Sequence, residues 1–236
     1  MQRGTAFSET FRPHFSSVLV SRPQKEAILI MKKLAFLLVL TLTCSLLPAC
    51  RQEEAVTAKP VIYLYPEAET EVTVTLDYDG ELTCTYPTYN DGWTVTAQPN
   101  GILTDAVGQA YNYLYWEGVT DAEYDFSEGF CVPGGEIAAF LEAALAQLGL
   151  SRREANEFIV YWLPMLEANP YNLLSFQTTA YTDAARLTIT PEPDSLLRVF
   201  LAWRPLQSPV EIPAQTLPSF ERTGFTVVEW GGAEIS

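Results

Sequence analysis

Residues 70–86, TEVTVTLDYDGELTCTY, alternate apolar and polar side chains with a period of two. Because successive side chains of a strand point to opposite faces, Val72 and Val74 share one face, and the threonines between them share the other. This pattern predicts a half-buried β-strand. Asp79-Gly80 separates two such runs, and both residue types tolerate the positive backbone angles of a two-residue turn, so we predict a β-hairpin at this point.

Similar strand and turn signals recur on both sides of a central segment. Turns are predicted at Asp91-Gly92 and at Pro99-Asn100-Gly101, with strands at GWTVTA and YNYLYWEG. After the central segment, strands are predicted at YNLLSFQT, ARLTIT, SLLRVFLAW and GFTVVEWGG. The sequence PEPD turns the chain between the second and the third of these four strands.

The central segment predicts two helices. Apolar residues recur at helical spacing from Ile137 to Leu148, and Gly149 supplies a C-terminal stop. An S-x-x-E capping box at Ser151 begins a second helix, which we predict to continue to about Leu163, where a proline follows. The letters FIVYWL in this stretch also fit a buried strand. The order of strands, two helices and strands indicates an α+β fold, a mainly antiparallel β-sheet or sandwich with two central helices packed on one face.

Residues 31–49 have the layout of an export signal, with Lys32 and Lys33 before an apolar run. That run is shorter than the roughly 20 residues that span a bilayer. Its end resembles the lipobox of bacterial lipoproteins, and the resemblance implies a lipid on Cys50 and removal of the signal peptide before it. We therefore expect a lipid-anchored protein on the outer face of a bacterial cell membrane or on another extracytoplasmic membrane face.

The other segments are assigned relative to this signal. Residues 1–30 show no amphipathic period, and we predict that they are a mistranslated upstream extension and that synthesis starts at Met31. Residues 50–58 are polar and without a pattern, and we expect a short lipidated tether. Residues 59–236 are predicted to form a single globular α+β domain.

Charge and the lack of histidine exclude several function classes. Without residues 1–49, the chain keeps 8 of its 14 basic and 27 of its 29 acidic residues, a net charge of −19. Such a surface repels nucleic acid, so we expect no nucleic-acid partner and favour neutral, cationic or metal-bridged ones. The single histidine is His14, so Ser-His-Asp and Cys-His nucleophiles and imidazole zinc ligands are excluded. A hydrolase would depend on carboxylates, tyrosine or Lys59, the only lysine left.

Two of the four cysteines remain after Cys44 leaves with the signal peptide and Cys50 takes the lipid. The remaining pair, Cys84 and Cys131, predicts a disulfide in an exported protein. Such a bond would stabilise the fold by about 4 kcal/mol through loop-closure entropy. Two free, buried thiols are the alternative.

Four segments together resemble an uncharacterised family of exported, often lipid-anchored microbial proteins. They are KPVIYLYP at 59–66, YNYLYWEG at 111–118, ANEFIVYWLPMLEANPYNLLSFQ at 155–177 and GFTVVEWGG at 224–232. The likeness spans nearly the whole mature chain and implies that it forms one unit. The family has no established activity, so the resemblance transfers no catalytic or binding residue.

An aromatic and acidic surface is the first candidate site. Flat rings beside carboxylates suit sugars, since the C–H faces of pyranoses pack on rings and carboxylates accept hydrogen bonds from hydroxyls. The candidate ligand-binding residues are Tyr113, Tyr115, Trp116, Glu117, Glu157, Trp162, Glu229 and Trp230, with Tyr63 and Tyr65 beside them. The same residue types fill the cores of β-rich proteins, so packing is the alternative role.

Acidic residues offer two further candidate sites. Calcium is the one cofactor considered, and its candidate ligands are Asp121, Glu123, Asp125 and Glu128, or Asp77, Asp79 and Glu81. Neither run matches the twelve-residue calcium loop, so solvated charge is the alternative. A glycosidase would need two carboxyl groups about 5 to 10 Å apart, for which Glu117 with Glu157 or with Glu229 is the candidate pair.

These observations favour a lipid-anchored module of the cell envelope that binds a glycan, peptide or protein neighbour without catalysis. A histidine-free carboxylate hydrolase of polysaccharide or peptidoglycan is one alternative. A structural partner in an envelope complex is the other. The sequence leaves open whether the chain is an enzyme and favours the view that it is not.

Overall fold

Twelve strands and three α-helices make up residues 55–235, the part of the chain that the structure, a computed structural model, describes. Their bounds are β1 Ala55–Tyr65, β2 Thr70–Tyr78, β3 Glu81–Tyr86, β4 Trp93–Ala97, β5 Leu103–Thr104, β6 Ala110–Tyr111, β7 Leu114–Thr120, β8 Phe130–Pro133, α1 Ile137–Leu148, α2 Arg152–Glu167, β9 Tyr171–Gln177, α3 Thr179–Ala184, β10 Ala185–Thr190, β11 Ser195–Leu206 and β12 Thr226–Glu234. A short 3₁₀ turn leads into α1.

The strands form two sheets. The larger has seven strands in the order β3-β7-β1-β12-β11-β9-β8, and the smaller has five in the order β10-β2-β4-β5-β6. Strands β11 and β12 are parallel, and the other paired strands are antiparallel. Helices α1 and α2 pack on one face of the seven-stranded sheet, and the five-stranded sheet packs on the other. The predicted α+β fold, mainly antiparallel with two central helices on one face, is confirmed.

Two hydrophobic cores result, because the seven-stranded sheet is covered on both faces. Along β1, Val61 and Tyr63 enter the core beneath the helices, whereas Ile62 and Leu64 enter the core between the sheets. Residues Gln52–Ser236 form one compact unit. All residues of both hydrophobic cores belong to this unit. A segment with complete cores of its own is expected to fold alone.

The helix signals of the sequence are confirmed at three termini. Helix α1 ends where Gly149 adopts a left-handed φ of 96°. Helix α2 begins with the predicted capping box, in which the Glu154 N–H donates to Ser151 Oγ at 3.4 Å and the Ser151 N–H donates to the Glu154 carboxylate at 2.7 Å. The start of α1 also lies where the apolar repeat begins.

The predicted end of the second helix at about Leu163 is wrong, because α2 continues through Pro164 to Glu167. Proline removes one backbone donor from a helix. Here Pro164 is exposed, so water can hydrogen-bond the carbonyl that loses its partner. The fully buried Leu166 anchors the last turn on the core and favours continuation of the helix.

The predicted hairpin at Asp79-Gly80 is also wrong, because β2 belongs to the five-stranded sheet and β3 to the seven-stranded one. The chain crosses between layers at this point, and the crossing is held by long-range hydrogen bonds. The Asp79 N–H donates to the Ala184 carbonyl at 2.7 Å, and the Thr120 hydroxyl donates to the Asp79 carbonyl at 2.6 Å. Glycine is required at position 80 for close approach, since a Cβ there would lie 2.1 Å from the Val119 carbonyl oxygen.

Strand β1 begins inside the segment predicted to be a tether over residues 50–58. Residues 55–58 pair with β7 and β12. Within this stretch, Thr57 is fully buried between the sheets, and its hydroxyl accepts a hydrogen bond from the Tyr78 hydroxyl at 3.1 Å. This contact attaches the start of β1 to the domain.

Three predictions for the amino-terminal region lie outside the described residues. They are the upstream extension over 1–30, the signal peptide over 31–49 and the lipid on Cys50. Within residues 55–235, no helix combines the length and the apolar character needed to cross a membrane.

The predicted disulfide between Cys84 and Cys131 is wrong. Cys84 lies in β3 and Cys131 in β8, which are the two opposite edges of the seven-stranded sheet. Six interstrand spacings separate them, or about 29 Å, whereas disulfides need Cα atoms within about 7 Å. Both thiols are free, Cys84 is exposed, and the Val210 N–H lies 3.4 Å from Cys131 Sγ.

A buried ion pair lies between the two sheets. Arg198 of β11 and Glu229 of β12 are direct neighbours across the parallel pair, and Arg198 Nε donates to Glu229 Oε2 at 2.6 Å. Their side chains are 8% and 0% exposed. Trp116 Nε1 donates to the other carboxylate oxygen at 3.2 Å, and the guanidinium lies 4.7 Å from the centre of the Tyr181 ring.

We expect reducing agent to leave the melting temperature of the chain 52–236 unchanged, since no bond between Cys84 and Cys131 contributes to stability. A thiol reagent should modify the exposed Cys84 rapidly in the native protein and Cys131 more slowly. A clear fall in melting temperature under reducing conditions would contradict the separation of the two thiols.

Replacing Glu229 with Gln should destabilise the fold by about 3 to 5 kcal/mol, because it leaves the Arg198 charge buried without its partner. The matched control is Glu142→Gln, which breaks an exposed pair with Arg152 and should cost less than about 1 kcal/mol. Urea unfolding of both variants measures the difference. Equal costs would show that the buried pair has no special role.

Candidate functional site

Tyrosine side chains from β1, α2 and the start of β7 form a surface beside helix α2. The ring of Tyr63 lies 6.0 Å from that of Tyr65 and 5.4 Å from that of Tyr113, centre to centre. Tyr115 of β7 and Tyr161 of α2 face the same side chain, that of Lys59, as Tyr113 does. We call the four half-buried residues, Tyr65, Tyr113, Tyr115 and Tyr161, the tyrosine face.

Lys59 places its ammonium among three rings of this face. Its Nζ lies 5.4 Å from the ring centre of Tyr113, 5.2 Å from that of Tyr115 and 5.6 Å from that of Tyr161. These distances are within the range of cation–π attraction. The backbone of Lys59 adopts a left-handed φ of 59°, which is uncommon for a residue other than glycine. The three rings therefore form an aromatic cage around a lysine.

Two carboxylates border the tyrosine face. Glu117 accepts a hydrogen bond from the backbone N–H of Lys59 at 3.3 Å. Glu157 accepts one from the Tyr63 hydroxyl at 2.7 Å and pairs with Arg153 at 3.5 Å. Both acids therefore lie on the helix side of the sheet, within reach of the same row of rings.

Three phenols of the tyrosine face, those of Tyr65, Tyr115 and Tyr161, have a raised pKa. Burial raises the pKa of Tyr115 above its ordinary value, and a hydrogen bond and charge from Glu117 raise it further. Burial and the charge of Glu154 raise the pKa of Tyr65 in the same way, and burial and Glu117 raise that of Tyr161. Neutral phenols can donate and accept hydrogen bonds, so these three side chains are polar without carrying charge.

Glu154 closes the Tyr65 end of the face. Arg222 Nη1 donates to its Oε1 at 3.0 Å, and Arg222 Nη2 donates to its Oε2 at 2.5 Å. Burial alone would raise the pKa of Glu154, but the hydrogen bonds from Arg222 and from the Ser151 N–H lower it below its ordinary value. This carboxylate is ionised and already paired, so it supports the fold at this end of the face.

A shallow cavity of about 260 Å³ adjoins the other end of the face. Its lining residues are Tyr86, Ile102, Ala110, Tyr111, Asn112 and Tyr113. Tyr86 is 60% exposed and meets Tyr111 edge to face, with ring centres 5.4 Å apart. Because Tyr113 contacts both the cavity and Lys59, the cavity and the cage form one aromatic surface.

Four residues of this surface were not among the predicted site residues. They are Lys59, Tyr86, Tyr111 and Tyr161. The sequence singles out Lys59 only because it is the one lysine after residue 33. Tyr111 is the first residue of the predicted strand YNYLYWEG and has no other distinguishing signal. Tyr86 and Tyr161 come from segments distant in sequence, so only the fold brings them to the site.

The structure divides the predicted ligand-binding residues among three places. Tyr113, Tyr115, Glu117 and Glu157 lie at the tyrosine face with Tyr63 and Tyr65, whereas Trp162 and Trp230 are buried beneath the helices, and Trp116 and Glu229 are buried between the sheets. The three tryptophans therefore have the alternative role of packing, and Glu229 pairs with Arg198. Glu117 and Glu229 lie on opposite faces of the seven-stranded sheet, so they cannot act as a facing pair of carboxylates.

The carboxylates of the two candidate calcium runs do not gather into a cluster of three or more. Within residues 55–235, no three His, Cys, Asp or Glu side chains come together in a group that could hold a metal ion. This applies to Asp77, Asp79 and Glu81 and to Asp121, Glu123, Asp125 and Glu128. Asp125 instead accepts hydrogen bonds from the Ser127 N–H at 2.7 Å and the Ser127 hydroxyl at 2.8 Å, which lower the pKa of its carboxyl.

Comparison with known proteins finds a similarity over part of the chain. No family model matches the chain, and no solved structure matches it. Over 63 residues, the chain is 51% identical to a protein of Butyrivibrio fibrisolvens described as "Uncharacterized protein in bglA 3'region". The match covers 25% of this chain and 65% of that protein, so the chain spans less than two thirds of its relative's length. The description of the relative states no activity.

Proposed function

We propose that this chain is a non-catalytic glycan-binding module of the cell envelope, held at an extracytoplasmic membrane face by a lipid on Cys50. The tyrosine face and the adjoining cavity form its binding surface. The observation that carries the proposal is a continuous series of partly exposed rings, formed by Tyr86, Tyr111, Tyr113, Tyr115 and Tyr161.

The chemistry of this surface suits sugar rings. Pyranose C–H groups pack against flat aromatic faces, and their hydroxyls need both donors and acceptors. The tyrosine hydroxyls supply both, Asn112 in the cavity supplies both, and Glu117 supplies an acceptor. A cavity of about 260 Å³ beside a row of rings favours one sugar unit in the cavity and further units along the row.

The position of the surface supports a ligand near the membrane. Only five residue steps separate Cys50 from Ala55 at the start of β1, so a lipid on Cys50 would lie within about 18 Å of the sheet. Lys59 follows four residues later in the same strand. A module tethered this closely reaches polymers of the inner part of the envelope.

The carboxyl groups support binding better than hydrolysis. A general acid in a glycosidase needs a raised pKa. Backbone N–H groups lower the pKa of Asp105 and Asp125, and Arg222 lowers that of Glu154 against the effect of burial. Of the two candidate pairs, Glu117 with Glu229 is separated by the seven-stranded sheet, whereas Glu117 and Glu157 lie on the same side of it, so a carboxylate hydrolase stays the alternative.

We expect Tyr113→Ala to weaken binding of an oligosaccharide by about tenfold, or about 1.4 kcal/mol, because this ring belongs to both the cavity and the cage. Titration calorimetry of the chain 52–236 against neutral cell-wall oligosaccharides measures the loss. Tyr171→Ala, in β9 and away from the face, is the matched control and should leave affinity unchanged. Absence of binding by every oligosaccharide, or equal affinity of Tyr113→Ala and the unchanged chain, would refute the proposal.

A further inference from the structure

Lys59 is the only lysine after residue 33, and the fold directs it into the tyrosine face. Its side chain projects from a β-bulge, where the pairing of β1 with β12 shifts between Ala58 and Val61. Bulges re-aim side chains, and a left-handed φ at a lysine is a strained conformation that the surrounding structure must hold. The strand thus departs from regular geometry at the residue that fills the cage.

The ammonium of Lys59 is held by rings and not by a carboxylate. The ion pairs within residues 55–235 all use arginine, and none includes Lys59. This is unexpected in a chain with so many acids, including Glu117 next to the cage. Glu117 accepts a hydrogen bond from the backbone N–H of Lys59, and among the described residues it is not a salt-bridge partner of the Lys59 ammonium.

Three rings around an alkylammonium, with the carboxyl group of Glu117 at their border, are the chemistry that recognises cationic amines. The side chain of Lys59 shows that the cage has the size for such a group. We propose that the cage formed by Tyr113, Tyr115 and Tyr161 is the subsite for a positively charged amine of the ligand, and that Lys59 occupies it until the ligand displaces it.

This inference rests on the proposed glycan-binding function and narrows its ligand to a glycan that carries a free amine, such as a deacetylated amino sugar. The cavity beside Tyr113 then takes a neighbouring sugar unit. The net charge of −19 in the chain without residues 1–49 favours approach of a cationic ligand and disfavours an anionic one.

The first test compares two ligands that differ only at nitrogen, the tetramers of glucosamine and of N-acetylglucosamine. Titration calorimetry with the chain 52–236 at physiological salt should show at least tenfold tighter binding of the free amine. Tyr161→Leu keeps the net charge of the protein, so general attraction of a cation is unchanged, and this variant should lose the part of the preference that the cage provides, at least a threefold difference. A preference of undiminished size in Tyr161→Leu would overturn the assignment of the cage.

A second test removes the internal occupant. Lys59→Met should bind the glucosamine tetramer at least threefold more tightly than the unchanged chain and should bind tetramethylammonium, a ligand without any sugar. Arg152→Met, an exposed site that loses the same single charge, is the control for electrostatics. Equal affinities of Lys59→Met and Arg152→Met for both ligands would overturn the displacement of Lys59.

A third test needs no variant and so does not depend on whether Lys59→Met folds. Lysine labelled with ¹³C gives one side-chain signal in the chain 52–236, shifted by the surrounding rings. The glucosamine tetramer should move this signal to the position of a free lysine. An unmoved signal in a complex that calorimetry shows to be saturated would overturn the inference.

The outcomes separate this inference from the proposed function. Equal binding of both tetramers with an unmoved Lys59 signal would reject the amine subsite and leave glycan binding intact. Binding of tetramethylammonium by Lys59→Met without binding of any sugar would reject the glycan and keep the amine site. Binding of neither class would reject both.

Discussion

Glu229 carries a carboxylate into the space between two β-sheets, and the surrounding elements are arranged to satisfy it. Arg198 reaches it from the neighbouring parallel strand, and Trp116 reaches it from two strands away in the order β7-β1-β12. Tyr181 of α3 packs on the guanidinium. Hydrophobic residues of similar volume often stabilise a core as well as an ion pair does. We therefore infer that the pair specifies structure: a shift of β11 against β12 would separate two buried charges.

Local signals predicted the parts of the fold that depend on neighbouring residues. Gly149 and the Ser151 capping box determine helix ends by nearby backbone hydrogen bonds, so their pattern is readable from sequence. Asp79-Gly80 predicted the wrong turn because its geometry depends on Thr120 and the Ala184 carbonyl, more than 40 residues away. The Cys84–Cys131 pairing failed for a related reason, since cysteine number contains no information on strand order.

Strand alternation decided which predicted site residues came together. Tyr115 and Trp116 are adjacent in sequence, yet one faces solvent beside α2, and the other is buried between the sheets. Residue type alone does not separate the exposed tyrosine from the buried tryptophan. The distinction depends on how many faces of the sheet are covered by other elements. Both faces of the seven-stranded sheet are covered. On the helix face, however, α2 leaves the part near β7 partly open, and Tyr113 and Tyr115 are only half-buried there. The predicted tyrosines lie there, and the predicted tryptophans are buried.

The place of β1 as an interior strand of the seven-stranded sheet has a mechanical consequence. The strand is hydrogen-bonded to β7 on one side and to β12 on the other. The individual hydrogen bonds of both pairings lie perpendicular to the length of the strand. A force that pulls on the chain ahead of Ala55 acts along the strand, so it shears many hydrogen bonds at once instead of opening them one after another. Lys59 and Tyr65 lie on this same strand, so tension between an anchor before Ala55 and a ligand on these residues would pass through a strand that is paired on both sides.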